Sequence, residues 1–87
     1  PEIQLAPVSD GVRLLHLHRN EPNVLARVNT LLGAAGTNID SQQLATSGSI
    51  GYAVTDCSNG VPSEVIDQLR DLDVTMRLTV LGGADRR

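Results

Sequence analysis

Two segments of the sequence decide the fold of this chain: His18-Arg19-Asn20-Glu21-Pro22-Asn23-Val24-Leu25 and, further along, Gly36-Thr37-Asn38-Ile39. An apolar strand runs into a short polar loop, and Pro22 suits the first turn of the helix that follows because no N–H is needed there. A helix N-terminus offers unpaired N–H groups and a partial positive charge to a carboxylate. Neutral His and Asn side chains add donors and acceptors. The first segment therefore predicts a site that suits a small zwitterion.

Apolar spacing along the rest of the chain predicts four strands and two helices. Alternation predicts strands at residues 12–18, 39–46, 50–57 and 74–81, and helical spacing predicts helices at residues 22–35 and 62–72. Gly36 is expected to end the first helix in a left-handed conformation. A tight hairpin at residues 47–49 joins the second strand to the third.

This βαββαβ order predicts an α+β fold, the ferredoxin-like sandwich, with a four-stranded antiparallel sheet and both helices on one face. The expected strand order is four-one-three-two, which leaves the second strand at an edge where only Asp40 is charged. Such a bare edge favours pairing with a second copy, so we expect a homodimer. Leu14 and His16 are expected on the sheet face opposite the helices. Residues 1–11 are interpreted as a linker, 12–81 as the domain and 82–87 as a tail.

Composition excludes several classes of function. The formal net charge of −3, with seven Arg and no Lys, lacks the basic footprint of a nucleic-acid binder, and Tyr52 is the only aromatic residue. No apolar stretch approaches the roughly 20 residues that span a bilayer, so we expect a soluble protein with no membrane partner. The single Cys57 is consistent with a reducing cytoplasm. The chain begins at Pro1, which suggests a piece of a longer polypeptide.

Metal and dinucleotide chemistry are both disfavoured. His16 and His18 share one side of the first strand, but no Cys, Asp or Glu cluster completes a tetrahedral metal site. No strand–Gly-x-Gly-x-x-Gly–helix unit is present, so the chain is expected to bind no cofactor. Cys57 is interpreted as an inert small apolar residue, and Arg13 as a solvated charge.

The motif residues resemble one known family. Residues 12–81 resemble an ACT domain, the amino-acid-binding regulatory module of biosynthetic enzymes, and most closely the C-terminal regulatory domain of the dehydrogenase that begins serine synthesis. The resemblance rests on the His-x-Asn-x-Pro-x-Val-Leu segment at residues 18–25 and the Gly-x-Asn-Ile segment at 36–39. It is extended by Gln43, Gly51-Tyr52, Val54, Asp56 and the opening Pro1-Glu2-Ile3.

The resemblance implies a function and a set of site residues. L-serine or a similar small amino acid would lie between two ACT domains, and the ligand residues would be His18, Asn20, Asn23, Val24, Leu25 and, from the second copy, Asn38. The chain would do no chemistry itself and would report to the catalytic domains of a parent NAD-dependent dehydrogenase. Where the family has Gly after the proline, this chain has Asn23, which would crowd the site or add a polar contact. Asn visits left-handed geometry more readily than most residues.

Plainer interpretations stay open beside this one. His18 could be an exposed loop histidine, Asn20 a turn or N-cap residue, and Asn38 a turn residue after the helix. The domain could be a structural dimerisation module without a ligand, or an ACT domain for a different amino acid. A small hydrolase of the acylphosphatase kind could use Arg19 and Asn20, although the Gly-rich anion loop is absent.

Overall fold

The computed structural model of the chain describes residues 11–82. Within that span the elements are β1 (Val12–Arg19), α1 (Val24–Ala34), β2 (Ile39–Ser47), β3 (Ile50–Cys57), α2 (Ser63–Arg70) and β4 (Thr75–Gly82). The predicted α+β class and βαββαβ order are confirmed, and every predicted boundary falls within two residues of the observed one. The predicted linker and tail lie outside the described residues, apart from Gly11 and Gly82, and Gly82 ends β4.

The sheet has the order β2-β3-β1-β4, and each neighbouring pair is antiparallel. The predicted edge position of β2 is confirmed. Because β3 runs antiparallel to both β1 and β2, β1 and β2 run in the same direction. β1 therefore finishes beside the Gly48–Ser49 turn that joins β2 to β3, where Arg19 pairs with Ile50. We call this the hairpin end of the sheet, and β2 begins at the opposite end.

The helices pack over one face of the sheet and enclose a single core. Its buried members are Val12, Leu14, Val24, Val28, Leu32, Cys57, Val65, Leu69, Val74 and Leu78. This finding corrects the expected position of Leu14 and His16, which lie on the face under the helices and are 1% and 3% exposed. Leu15 and Leu17 lie instead on the open face. Alternation shows which side chains of β1 share a face of the sheet. Because the side chains on each face include leucine, alternation does not show which face the helices cover.

Helix α1 is bounded by two left-handed residues. It begins two residues later than predicted because Asn23 has φ 70° and ψ 13°, a conformation that cannot continue a helix. At its C-terminus Gly36 has φ 76°. The Gly36 N–H donates to the Gly33 carbonyl and the Thr37 N–H donates to the Leu32 carbonyl, both at 3.0 Å. These two bonds form a Schellman motif, so the predicted role of Gly36 is confirmed.

Arg13 is not the solvated charge that was expected. It is 6% exposed, and its Nε and Nη2 atoms donate to the two carboxylate oxygens of Asp56 at 2.7 and 2.9 Å. These hydrogen bonds lower the pKa of Asp56 from its ordinary value. The pair therefore joins β1 to β3 near the opposite end of the sheet.

Neither helix between residues 11 and 82 has the length and apolar content to cross a membrane.

Candidate functional site

His18 is an interior residue of β1 rather than an exposed loop histidine. Its side chain is 2% exposed, and its Nδ1 atom lies 2.8 Å from the Arg19 carbonyl oxygen. A carbonyl can only accept, so Nδ1 carries the proton in the neutral ring and Nε2 is an acceptor. Within residues 11–82, Nε2 is buried and has no hydrogen-bond partner. Buried polar atoms are normally paired, yet His16 Nδ1 and Thr37 Oγ1 also lack a partner within these residues. Of the three, His18 adjoins the polar loop at residues 20–23, which makes it the ligand-binding candidate.

His16 lies beside His18 but is tied into the structure. Its Nε2 lies 2.7 Å from Thr75 Oγ1, and that hydroxyl donates to the Leu69 carbonyl at 2.7 Å. The Thr75 proton is therefore committed to Leu69, so His16 Nε2 must be the donor to Thr75. Burial, helped by the neighbouring His18 ring at 4.9 Å between centroids, lowers the pKa of His16 to about 4. His16 is thus held neutral. No sequence signal indicated this chain of bonds, because His16 and Thr75 are 59 residues apart.

Asn20 lies at the hairpin end, immediately after β1. Its backbone N–H donates to the Ser49 carbonyl at 2.8 Å, and its side-chain Nδ2 donates to the Gly48 carbonyl at 3.0 Å. Because the partner is a carbonyl, the amide orientation is fixed by chemistry. The remaining acceptor is Oδ1, on an exposed side chain. Asn20 therefore braces the hairpin and keeps one acceptor for a ligand.

The first turn of α1 follows the same loop. Asn23 is its N-cap, and within residues 11–82 no side chain caps this helix end. The Asn23 carbonyl accepts the first helical bond, from the Arg27 N–H at 3.1 Å. The N–H groups of the first turn precede any intrahelical acceptor, so they are available to an anion. Val24 is 3% exposed and packs in the core, so a ligand could reach only its backbone, while Leu25 is half-buried.

Asn38 does not join these residues within one copy. It precedes β2 and therefore lies at the opposite end of the sheet. Its Nδ2 donates to Asp40 Oδ1 at 3.0 Å and to Ser58 Oγ at 2.9 Å, and its backbone N–H donates to Asn59 Oδ1. Both amide protons are therefore used, and Oδ1 is again the remaining acceptor.

Residues 11–82 contain no group of three or more His, Cys, Asp or Glu that could hold a metal ion. The expected absence of a metal stays a prediction for the whole chain. Burial raises the pKa of the Cys57 thiol to about 11, with Asp40 and Asp56 contributing. A thiol so protonated is a poor nucleophile, which fits the interpretation of Cys57 as an inert core residue.

Comparison with known proteins identifies the family of this chain. A family model described as the AHAS small subunit-like ACT domain matches residues 14–77. The chain belongs to the ACT domain family. The crystal structure of the ACT domain from GTP pyrophosphokinase of Chlorobium tepidum superposes with a TM-score of 0.69, over 83% of this chain and 97% of that one. At 12% identity, that likeness shows the fold alone.

Among curated proteins, the chain is similar to D-3-phosphoglycerate dehydrogenases. It is 37% identical over 81 residues to the enzyme of Haemophilus influenzae and 35% identical over 83 residues to that of Escherichia coli strain K12. Each match covers 93% of this chain and 20% of the relative. The chain thus spans about a fifth of the length of these dehydrogenases.

Proposed function

We propose that this chain is the amino-acid-sensing regulatory domain of a D-3-phosphoglycerate dehydrogenase, and that it binds L-serine for feedback control of serine synthesis. One observation carries the proposal: the buried, unpartnered His18 Nε2 lies at the end of the strand that leads into the uncapped N-terminus of α1. The domain would do no chemistry itself. NAD would bind to the catalytic domains of the parent enzyme, in the cytoplasm.

The orientation of the ligand follows from the proton positions. Each proposed side-chain contact retains an acceptor, namely His18 Nε2, Asn20 Oδ1 and Asn38 Oδ1, and Asn20 also retains the second proton of Nδ2. These acceptors suit the ammonium and hydroxyl groups of serine, which donate. The first-turn N–H groups of α1 suit the carboxylate, which accepts. Alanine would leave one buried acceptor unpaired, at a cost of about 1–3 kcal/mol, so the site should discriminate against it.

A complete site requires two copies, because Asn20 and Asn38 lie at opposite ends of the sheet. Antiparallel pairing of two β2 edges, centred on Gln43, would set Ile39 of one copy opposite Ser47 of the second. Asn38 would then lie beside Gly48 of the second copy, whose carbonyl accepts from Asn20 there. The proposed dimer through the β2 edge therefore brings the two asparagines together, with one site at each end of the shared strand pair.

Titration calorimetry on the purified chain tests ligand and residues together. L-serine should bind, and D-serine and L-alanine should bind at least about tenfold more weakly. Asn20→Ala and Asn38→Ala should each weaken L-serine binding by about tenfold or more. Gln68→Ala is the matched control, because it removes an exposed carboxamide from α2, which contributes no proposed ligand residue and no strand of the proposed dimer. Equal losses in all three variants would show that general destabilisation, rather than ligand contact, is responsible.

Mixing variants tests whether the site is shared. Neither Asn20→Ala nor Asn38→Ala homodimers should bind serine well, whereas a mixed dimer carries one site in which both asparagines are intact. Random exchange makes about half of the dimers mixed, and each mixed dimer has one intact site of two, so mixing equal amounts should restore about a quarter of the wild-type number of sites. Failure of the mixture to recover any binding, with dimers confirmed by light scattering, would contradict the shared site.

A structural dimerisation module without a ligand is the second candidate. It is favoured by the intrachain bonds that Asn20 and Asn38 already make, because these bonds explain both residues without a ligand. A dimer that binds none of the common L-amino acids would support this alternative. Calorimetry with glycine, threonine and the branched amino acids separates it from an ACT domain that senses a different amino acid.

A further inference from the structure

We infer that Gly51 is a positioning residue of the site: its missing side chain leaves the space in which the His18 ring lies, and so fixes where Nε2 is presented. Gly51 is the direct cross-strand partner of His18 in the β1–β3 pairing. A Cβ built on Gly51 would overlap His18 Cε1 and lie 3.0 Å from each ring nitrogen. The inference rests on the proposed role of His18 as a ligand residue.

The requirement at this position is for space rather than for backbone freedom. Gly51 does not have a positive φ, unlike Gly36 and Gly48, so an L-residue could adopt its backbone conformation. Gly51 is buried, and β3 backbone is not free to yield because it is paired on both sides, by β1 and by β2. A methyl group added here must therefore displace the imidazole.

The imidazole is held in its observed position by a hydrogen bond and by the residues packed around it. The Arg19 carbonyl holds Nδ1 at 2.8 Å, and the ring is 2% exposed. Rotating the ring away from a new methyl group breaks the bond to Arg19. That bond selects the tautomer in which Nε2 is the acceptor, so its loss changes both the place and the protonation of the atom offered to the ligand.

The experiment compares Gly51→Ala with Gly60→Ala in the 87-residue chain. A Cβ on Gly60 meets no atom within 4 Å, and its φ is not positive, so it is a matched glycine control. Nitrogen-15 NMR of the imidazoles reports which ring nitrogen of His18 carries the proton. Calorimetry reports L-serine binding. Wild type and Gly60→Ala should show His18 protonated at Nδ1 and equal serine affinity.

Gly51→Ala should lose the Nδ1-protonated signature and bind L-serine about tenfold or more weakly, as expected when a charge-assisted hydrogen bond is misplaced. Gly51→Ala should lower the free energy of unfolding of the wild type. In a His18→Ala background the same change should have little further effect, because the ring that the added Cβ would overlap is absent. That non-additivity separates a steric role towards His18 from a general packing role.

The outcomes also separate this inference from the proposed function. If wild type does not bind serine, the proposed function fails, while the His18 signature in Gly51→Ala still decides the steric claim. If wild type binds serine and Gly51→Ala matches Gly60→Ala in both readouts, Gly51 does not position the ring. Loss of serine binding with an unchanged His18 signature would equally overturn the inference.

Discussion

Two junctions meet at the hairpin end of the sheet and differ in how completely their polar groups are satisfied. The α2–β4 junction, at residues 71–74, is closed: the Thr75 hydroxyl donates to the Leu69 carbonyl, and the Val74 carbonyl accepts the Arg19 N–H. The β1–α1 junction, at residues 20–23, is open. It holds Asn23 in a left-handed conformation and follows His18, whose Nε2 has no partner within residues 11–82.

The two histidines of β1 divide between these junctions. Within residues 11–82 each ring keeps one buried nitrogen without a partner, Nδ1 in His16 and Nε2 in His18. The rings differ in their second nitrogen, because His16 donates to Thr75 of the closed junction, whereas His18 bonds only to the Arg19 carbonyl beside the open one. A structural polar group is paired wherever the fold allows it, since an unpaired buried group costs about 1–3 kcal/mol. The closed junction therefore bonds strand to strand and helix to strand, whereas the open junction is the one to which we assign the proposed ligand.

The largest predicted effect is acid destabilisation through His16. The unfolded chain protonates this residue near 6.5 and the folded chain only near 4. Between those values the unfolded state binds more protons, so stability is present above pH 6.5 and is lost as pH falls towards 4. The loss should total about 3 kcal/mol. Urea unfolding at pH 7 and pH 4.5 measures it.

A His16→Leu variant provides the control, because it removes the titrating ring and should flatten this pH dependence. Asp56 and Asp73, whose pKa values are lowered by hydrogen bonds from Arg13 and Arg27, lose their contributions only as pH falls below their ordinary value of 3.8. The two aspartates therefore contribute little to the change in stability between pH 7 and pH 4.5. An unfolding free energy that stays constant from pH 7 to 4.5 in the wild type would contradict the prediction.

Thr75→Val should destabilise the closed junction without affecting the open one. The isosteric change removes the hydroxyl, leaving the Leu69 carbonyl and His16 Nε2 unpaired, at a cost of about 1–3 kcal/mol. Thr75→Ser should recover most of that loss. Thr75 is the cross-strand partner of His18, but its hydroxyl bonds only His16 and Leu69, so serine affinity should change by less than about twofold. A large loss of affinity with Thr75→Val would show that the two junctions are coupled.

Asn23→Ala tests the strain at the open junction. Alanine in the left-handed region costs about 1–2 kcal/mol relative to a residue free of that constraint. Asn already costs part of that amount, so the variant should lose about 1 kcal/mol of stability. Asn23→Gly should match or slightly exceed the wild type. Chemical unfolding at pH 7 measures both. If Ala and Gly behave alike at this position, the left-handed conformation is not enforced there.

Most of the fold could be predicted because its determinants are local. The periodicity of the apolar residues located all six elements, and Gly36 identified the end of α1 because glycine readily adopts a left-handed conformation. The assignment of Leu14 to the open face failed because it depends on what packs across the sheet. Only the observed core, which places Leu14 under the helices, settles that question.

The site was predictable in part for the same reason. The resemblance named His18, Asn20 and Asn38, and the structure places the first two at one end of the sheet and the third at the other. The burial of His18 and the space provided by Gly51 could not be predicted, because both depend on contacts between residues distant in sequence. The tautomer depends on a bond to the adjacent Arg19 carbonyl, but it could not be predicted either, because the packing around the ring sets the ring orientation that makes this bond. Local patterns carry no information about such contacts.

The smallest predicted effect contrasts the two helix N-termini. Helix α2 carries Glu64 in its first turn, whereas α1 has no acidic residue there. Ala26→Glu places a carboxylate on an exposed first-turn position of α1, which should stabilise the fold by about 0.3–1 kcal/mol. The same carboxylate should repel that of serine and weaken its binding severalfold, an effect that higher salt reduces.

Glu64→Gln is the matched change at α2, and it should remove about 0.3–1 kcal/mol of stability while leaving serine affinity unchanged. Opposite signs for stability and binding are the informative result, because a mutation that merely damaged the fold would lower both. If Ala26→Glu stabilises the chain and serine binds as before, then the N–H groups of α1 do not hold the ligand carboxylate. The open junction would then bind through its acceptors alone.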